Sequence, residues 1–219
     1  MKKAIIVLAV ILIPFILLIT NLRLVAFNES FHKKEFVKYD VYSKLPGEEI
    51  EKINSEVISY LKTGKGNLEF FNEKEKSHLE DVRKLMKTFF IIDYSLIALF
   101  FILLINLHFI DKKNLLKDIG KILLYGGLIT LAAILVFLLM VKLDFMGFFT
   151  GFHELLFKPD TWWFDELTDK ITTLYPMEFF YDAIIEVFLG TVVSAFILAV
   201  TGFILRYGRF KLSKIRLLR

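Results

Sequence analysis

The chain has 219 residues, of which 56% are hydrophobic and 24% charged, with a formal net charge of +4 and no cysteine. A mean hydropathy of +0.57 is too high for an ordinary soluble domain. The lack of cysteine excludes disulfides, cysteine-ligated zinc and a cysteine nucleophile.

Four apolar runs account for the hydropathy. Lys2 and Lys3 precede the first, which extends over about 4–26 and contains Arg23 near its end. The others cover about 89–110, 122–141 and 184–205, with Asp93 and Glu186 as their only charges. Each is near the ~20 residues that a helix needs to cross a bilayer. Because lipid offers no partner to backbone polar groups, an all-α integral membrane protein with four transmembrane helices is predicted. The first run has the charge pattern of a signal peptide, but its length and the lack of an A-x-A site favour an uncleaved anchor.

Charge sets the expected orientation. The 111–121 connector holds four Lys and two Asp. The tail holds Arg206, Arg209, Lys211, Lys214, Arg216 and Arg219 with no acid. With four spans, these segments and the N-terminus share one side, and short Lys/Arg-rich segments mark the cytoplasm. Segments 27–88 and 142–183 then form an extracytoplasmic cap. The second is acidic, with Asp144, Glu154, Asp160, Asp165, Glu166, Asp169, Glu178 and Asp182 against three Lys.

Within 27–88, partial alternation of Phe, Val and Tyr after Phe27 predicts one or two short strands. Pro46 is expected to open a helix whose stripe is Ile50, Ile53, Val57, Ile58 and Leu61, ended by Gly64 and Gly66. The next helix bears His78. Asn72 and Glu75 read as its capping box, and Glu75 and Asp81 lie three residues either side of His78, within reach of its imidazole. Within 142–183, Thr150 is expected to cap a short helix carrying His153, stopped before Pro159. Pro176 is placed to start the last span. The dense aromatics of this segment suit an interfacial belt or the wall of a lipid pocket.

Of the four histidines, His32 beside Lys33 and Lys34 reads as solvated, and His108 as interfacial at the cytoplasmic end of its span. His78 and His153 fall at the outer ends of neighbouring spans and are expected to meet. They could divide acid–base work, since imidazole titrates near neutral pH. A metal site would need a third ligand, and His153-Glu154 lacks the second His of a zinc-protease helix. There is no G-x-S-x-G elbow.

The pattern E-x-x-H-x-x-D-V at Glu75, His78, Asp81 and Val82, with F-H-x-x-x-F at Phe152, His153 and Phe157, resembles the bacterial lipoprotein intramolecular transacylase family. Trp162, Phe164, Asp165, Thr168, Asp169 and then P-x-x-F-F at Pro176, Phe179 and Phe180 extend the resemblance over nearly the whole chain. The doubled Trp162-Trp163 is a departure that leaves the register of the family tryptophan open by one residue.

The resemblance implies an enzyme that moves the sn-2 acyl chain of a diacylglyceryl-cysteine lipoprotein to the cysteine α-amine. It implies His78 and His153 as catalytic residues with Glu75 and Asp81 supporting them. Phe152, Phe157, Trp162, Trp163, Phe179 and Phe180 would line the acyl site. No cofactor, metal or nucleic acid is expected. The partners would be the diacylated lipoprotein and membrane lipid, with the protein a monomer. A metal-dependent hydrolase and a non-catalytic lipid-binding subunit are the alternatives.

Overall fold

The computed structural model describes residues 1–158, 161–165 and 167–208. Nine α-helices follow in order among these residues: α1 Lys2–Ala26, α2 Glu29–Lys38, α3 Val41–Lys44, α4 Ile50–Thr63, α5 Glu73–Ile110, α6 Leu115–Leu143, α7 Phe145–Leu156, α8 Lys170–Leu174 and α9 Met177–Phe203. A π-helical turn, Ile204–Gly208, ends the described chain. No strand occurs among the described residues. The readings placed on Pro159, Asp160, Glu166 and the basic residues from Arg209 onward lie outside them.

Four helices are long and apolar enough to cross a membrane: α1, α5, α6 and α9 with its π turn. In α5 the apolar part is confined to Phe89 onward, because nine of the residues from Glu73 to Lys87 are charged. The chain divides into two compact units.

The first unit comprises Met1–Asn21, Ile92–Leu139 and Val187–Arg219. Its core joins Ala9, Val10, Leu12 and Ile13 of α1 to Leu103 and Leu107 of α5 and Ile122 of α6. Between apolar helices in lipid, close backbone approach replaces hydrophobic burial as the attractive force. Glycines permit it here. A Cβ on Gly127 would come 2.6 Å from the Ala195 carbonyl oxygen, and one on Gly202 would come 2.3 Å from the Leu124 nitrogen, so α6 and α9 pack almost backbone to backbone. Buried polar groups in this unit find partners: Thr20 donates to Asp93, and Lys2 pairs at 2.7 Å with both Asp111 and the buried Asp118.

The second unit comprises Leu22–Ile91 and Met140–Glu186. Its first part is helical rather than extended, which corrects the expectation of strands. The Asn28 side chain caps α2 by accepting the Phe31 N–H. Phe31, His32, Glu35 and Phe36 are then buried together, a helical period that the local alternation hides. Pro46 lies in the turn between α3 and α4, and α4 begins only at Ile50. The buried face of α4 is Ile50, Asn54, Val57 and Ile58, with Gly64 at φ 78° closing it. Gly64 is suited to that left-handed cap because it lacks a Cβ.

His32 is also corrected: it is 6% exposed. Its Nδ1 lies 2.8 Å from Asn54 Oδ1, which also accepts the Tyr175 hydroxyl at 2.9 Å. Its ring meets Phe179 edge-on at 5.1 Å. Burial lowers its pKa, while Lys33 and Lys34 are exposed on the outer face of the same helix.

Candidate active site

His78 sits near the start of α5. That start is built locally: Asn72 Oδ1 accepts the Glu75 N–H at 2.9 Å, and a Glu75 oxygen accepts the Asn72 N–H at 2.6 Å. This reciprocal pair satisfies two of the free donors of a helix N-terminus. His153 sits on α7, which begins earlier than the sequence suggests. Asp144, not Thr150, caps it by accepting the Gly147 N–H, and Thr150 lies inside the helix. An Asp cap precedes a hydroxyl cap here because Gly147 lets the carboxylate approach closely; a Cβ there would lie 2.2 Å from Asp144 Oδ2.

The two imidazoles stack with centroids 6.2 Å apart and planes 25° from parallel. His153 Nδ1 lies 2.8 Å from the Phe149 carbonyl oxygen, one turn earlier. A carbonyl only accepts, so Nδ1 carries the proton and Nε2 keeps a lone pair. His78 is 7% exposed, and its buried Nδ1 has no hydrogen-bond partner among the described residues.

Aromatic rings enclose the pair. Phe157 is 5.0 Å from His78 and 5.4 Å from His153. Phe164 meets His78 edge-on at 5.3 Å. Trp162 lies 4.9 Å, Phe152 5.5 Å and Phe149 4.1 Å from His153. Burial among these rings, and then the neighbouring His153, push the His78 pKa down to about 4. Burial also lowers that of His153, against the opposing pull of the Phe149 carbonyl. Both rings are therefore neutral at pH 7, the state in which an imidazole can accept a proton.

The remaining expected residues divide. Trp163 stands beside Trp162 at 5.7 Å but is 65% exposed. Phe180 packs on Phe149 at 5.8 Å, one ring removed from His153. Phe179 instead belongs to the buried cluster of Phe31, His32, Phe36 and Tyr175. Neither carboxylate bonds the His78 ring. Glu75 is fully buried and spends its other oxygen on the Ile171 N–H at 2.7 Å. Asp81 pairs with Lys84 at 3.5 Å. His108 meets Phe109 edge-on at 5.7 Å in the first unit. Sequence reasoning missed Phe149 and Phe164 as neighbours of the histidines. Phe149 carried a signal, since residue i−4 on a helix offers its carbonyl to residue i. No group of three His, Asp or Glu placed to hold a metal occurs among the described residues.

A multi-pass, all-helical membrane protein with an aromatic-walled pair of neutral histidines is the class that fold and site define. Similarity to known proteins specifies it further. The chain belongs to the family described as lipoprotein intramolecular transacylase Lit, whose family model matches residues 7–180. It is thus a membrane-integral transacylase of lipoproteins.

The fold is similar to the crystal structure of the lipoprotein intramolecular transacylase from Bacillus cereus. The TM-score is 0.81 at 23% identity, covering 99% of this chain and 98% of that one. A structure of the same Bacillus cereus protein with one histidine replaced by alanine gives a TM-score of 0.78 at 22% identity, over 99% of this chain and 96% of that one. An uncharacterized protein of Aquifex aeolicus is 26% identical over 216 residues, 92% of this chain and 94% of that one.

Proposed function

We infer that this chain moves the sn-2 acyl group of a diacylglyceryl-cysteine lipoprotein to the α-amine of the same cysteine, leaving a lyso-form product. The observation that carries this reading is the pair of stacked imidazoles, ring centroids 6.2 Å apart, with the His153 proton directed to the Phe149 carbonyl through Nδ1.

The reaction needs little from the protein. The amine attacks an ester carbonyl in its own molecule, where effective molarity is high. The N–C bond forms, the bond from the carbonyl carbon to the glyceryl sn-2 oxygen breaks, and one proton passes from nitrogen to that oxygen. His153 Nε2 accepts the proton from the amine and returns it to the leaving oxygen. His78 stabilises the oxyanion of the tetrahedral intermediate; its partnerless buried Nδ1 suits a role in which substrate completes the hydrogen bonding. No enzyme nucleophile is required. Phe152, Phe157, Trp162 and Trp163 line the acyl chains, with Phe180 behind them.

The charge division supports placing both termini in the cytoplasm and the histidine pair on the extracytoplasmic face. Both histidines come from one chain, which supports a monomer as the working unit. The test is mass spectrometry of a synthetic diacylated lipopeptide incubated with the purified protein. Transacylation leaves total mass unchanged and relocates one acyl chain to nitrogen. Loss of one acyl chain instead identifies a hydrolase and overturns the reading.

A further inference from the structure

The loop that covers the histidine pair hangs from the first turn of the helix that carries His78. Phe164 and Trp162 of this loop touch His78 and His153 respectively. Among the described residues, three side chains between Asn72 and Glu75 anchor the loop. Lys74 donates to the Trp163 carbonyl and stands 5.0 Å over the Phe164 ring. Asn72 Nδ2 donates to Asp169 Oδ1 at 2.9 Å. Asp169 Oδ2 accepts the Asp165 N–H at 2.9 Å, next to Phe164. Glu75, 0% exposed, ties the Asn72 N–H to the Ile171 N–H through its two oxygens.

We propose that Glu75, with Asn72 and Asp169, is a positioning clamp for the transacylation, holding the Trp162–Phe164 wall in register with His78. The proposal rests on the transacylase reading above and assigns Glu75 a role different from that of a carboxylate partner to an imidazole. The E-x-x-H spacing then has a mechanical meaning. One helical turn fixes the distance between the ring that works on the substrate and the carboxylate that holds the ring's cover. A carboxylate suits the post because it has acceptors for two N–H groups facing it from different segments. Glutamine has one such oxygen and turns an NH2 toward the other donor. Loosening the clamp widens the acyl slot and leaves the protonation of the histidines alone.

The test uses the Trp163→Phe protein, in which Trp162 is the sole tryptophan. Two variants are made in it. Glu75→Gln removes one acceptor. Asn72→Asp keeps an oxygen to cap α5 but sets a second carboxylate against Asp169. Both are expected to raise acrylamide quenching of Trp162 fluorescence. Both are expected to raise KM for the diacylated lipopeptide about ten-fold, the weight of one buried hydrogen bond, and to flatten the preference among sn-2 chain lengths. The midpoint of the acid limb of the kcat profile should stay in place. Unchanged quenching in both variants overturns the clamp. So does a moved acid limb with KM constant, which returns Glu75 to His78. If the wild-type protein forms no lyso product, the transacylase reading fails, and the quenching measurement still decides whether the clamp exists.

Discussion

His153 Nδ1 donates to the carbonyl oxygen of Phe149 at 2.8 Å, so the nitrogen left to take a proton is Nε2. The Phe149 carbonyl belongs to the same helix as His153, which makes the orientation of the base a local property of α7. An Nδ1-directed bond of this kind sets tautomer and ring angle together.

Replacement of the two histidines should have different signatures. His153→Ala removes the proton acceptor and should abolish formation of the N-acyl lyso product. His78→Ala removes stabilisation of developing charge and should lower kcat by about 100- to 1,000-fold, the usual cost of one such donor. His108→Ala should retain wild-type turnover. The readout is the N-terminal peptide mass and its fragmentation; full turnover by the His153→Ala protein would contradict the mechanism.

The acid side of the pH profile follows from burial. Both imidazoles have lowered pKa values, that of His78 about 4. The acid limb of kcat/KM should therefore fall below the ordinary histidine value of 6.5. Stability has the same sign. In the unfolded chain His78 takes a proton as pH drops through 6.5, whereas in the fold it resists until about 4. Its contribution is thus intact above 6.5 and is lost between 6.5 and about 4, in total on the order of 3 kcal/mol. Denaturant titrations at pH 7 and pH 5 measure this, and His78→Phe should reduce the difference.

His32→Ala should destabilise without touching the chemistry. It deletes a ring packed on Phe36 and Phe179 and leaves Asn54 short of a partner. A loss of about 2–4 kcal/mol is expected, seen as a lowered thermal midpoint. Tyr175→Phe removes one bond to the same Asn54 oxygen and should cost about 1 kcal/mol. Turnover per folded molecule should match wild type in both.

Orientation can be read by labelling, because the chain has no cysteine of its own. Ser77 and Asn114 are both exposed. Ser77→Cys should react with an impermeant maleimide in intact spheroplasts, and Asn114→Cys only after permeabilisation. The reverse pattern would place the histidine pair in the cytoplasm.

What could be read from the sequence was what neighbouring residues settle among themselves. Asn72 and Glu75 are three apart, so their mutual capping shows in the letters. His78 and His153 meet because each stands at an end of one of two apolar runs joined by a short connector. The second bond of Glu75, to Ile171, joins residues 96 apart and leaves no trace in spacing. His32 was obscured by its neighbours: two lysines follow it, yet the helical period turns His32 inward and them outward. The alternation after Phe27 failed for the same reason, since a capped helix buried Phe31, His32, Glu35 and Phe36 as one stripe.

Not one of the twelve residues of α7 is buried, although Met146, Phe152 and Leu155 are large and apolar. One side of this helix packs on Tyr181, Phe180 and Trp162; the other, where Met146, Phe152 and Leu155 are exposed, is an apolar face of the kind that lipid covers. We propose that lipid against that face helps to hold the helix that carries His153. Turnover should therefore respond to headgroup and acyl composition, and should differ between detergent and a bilayer.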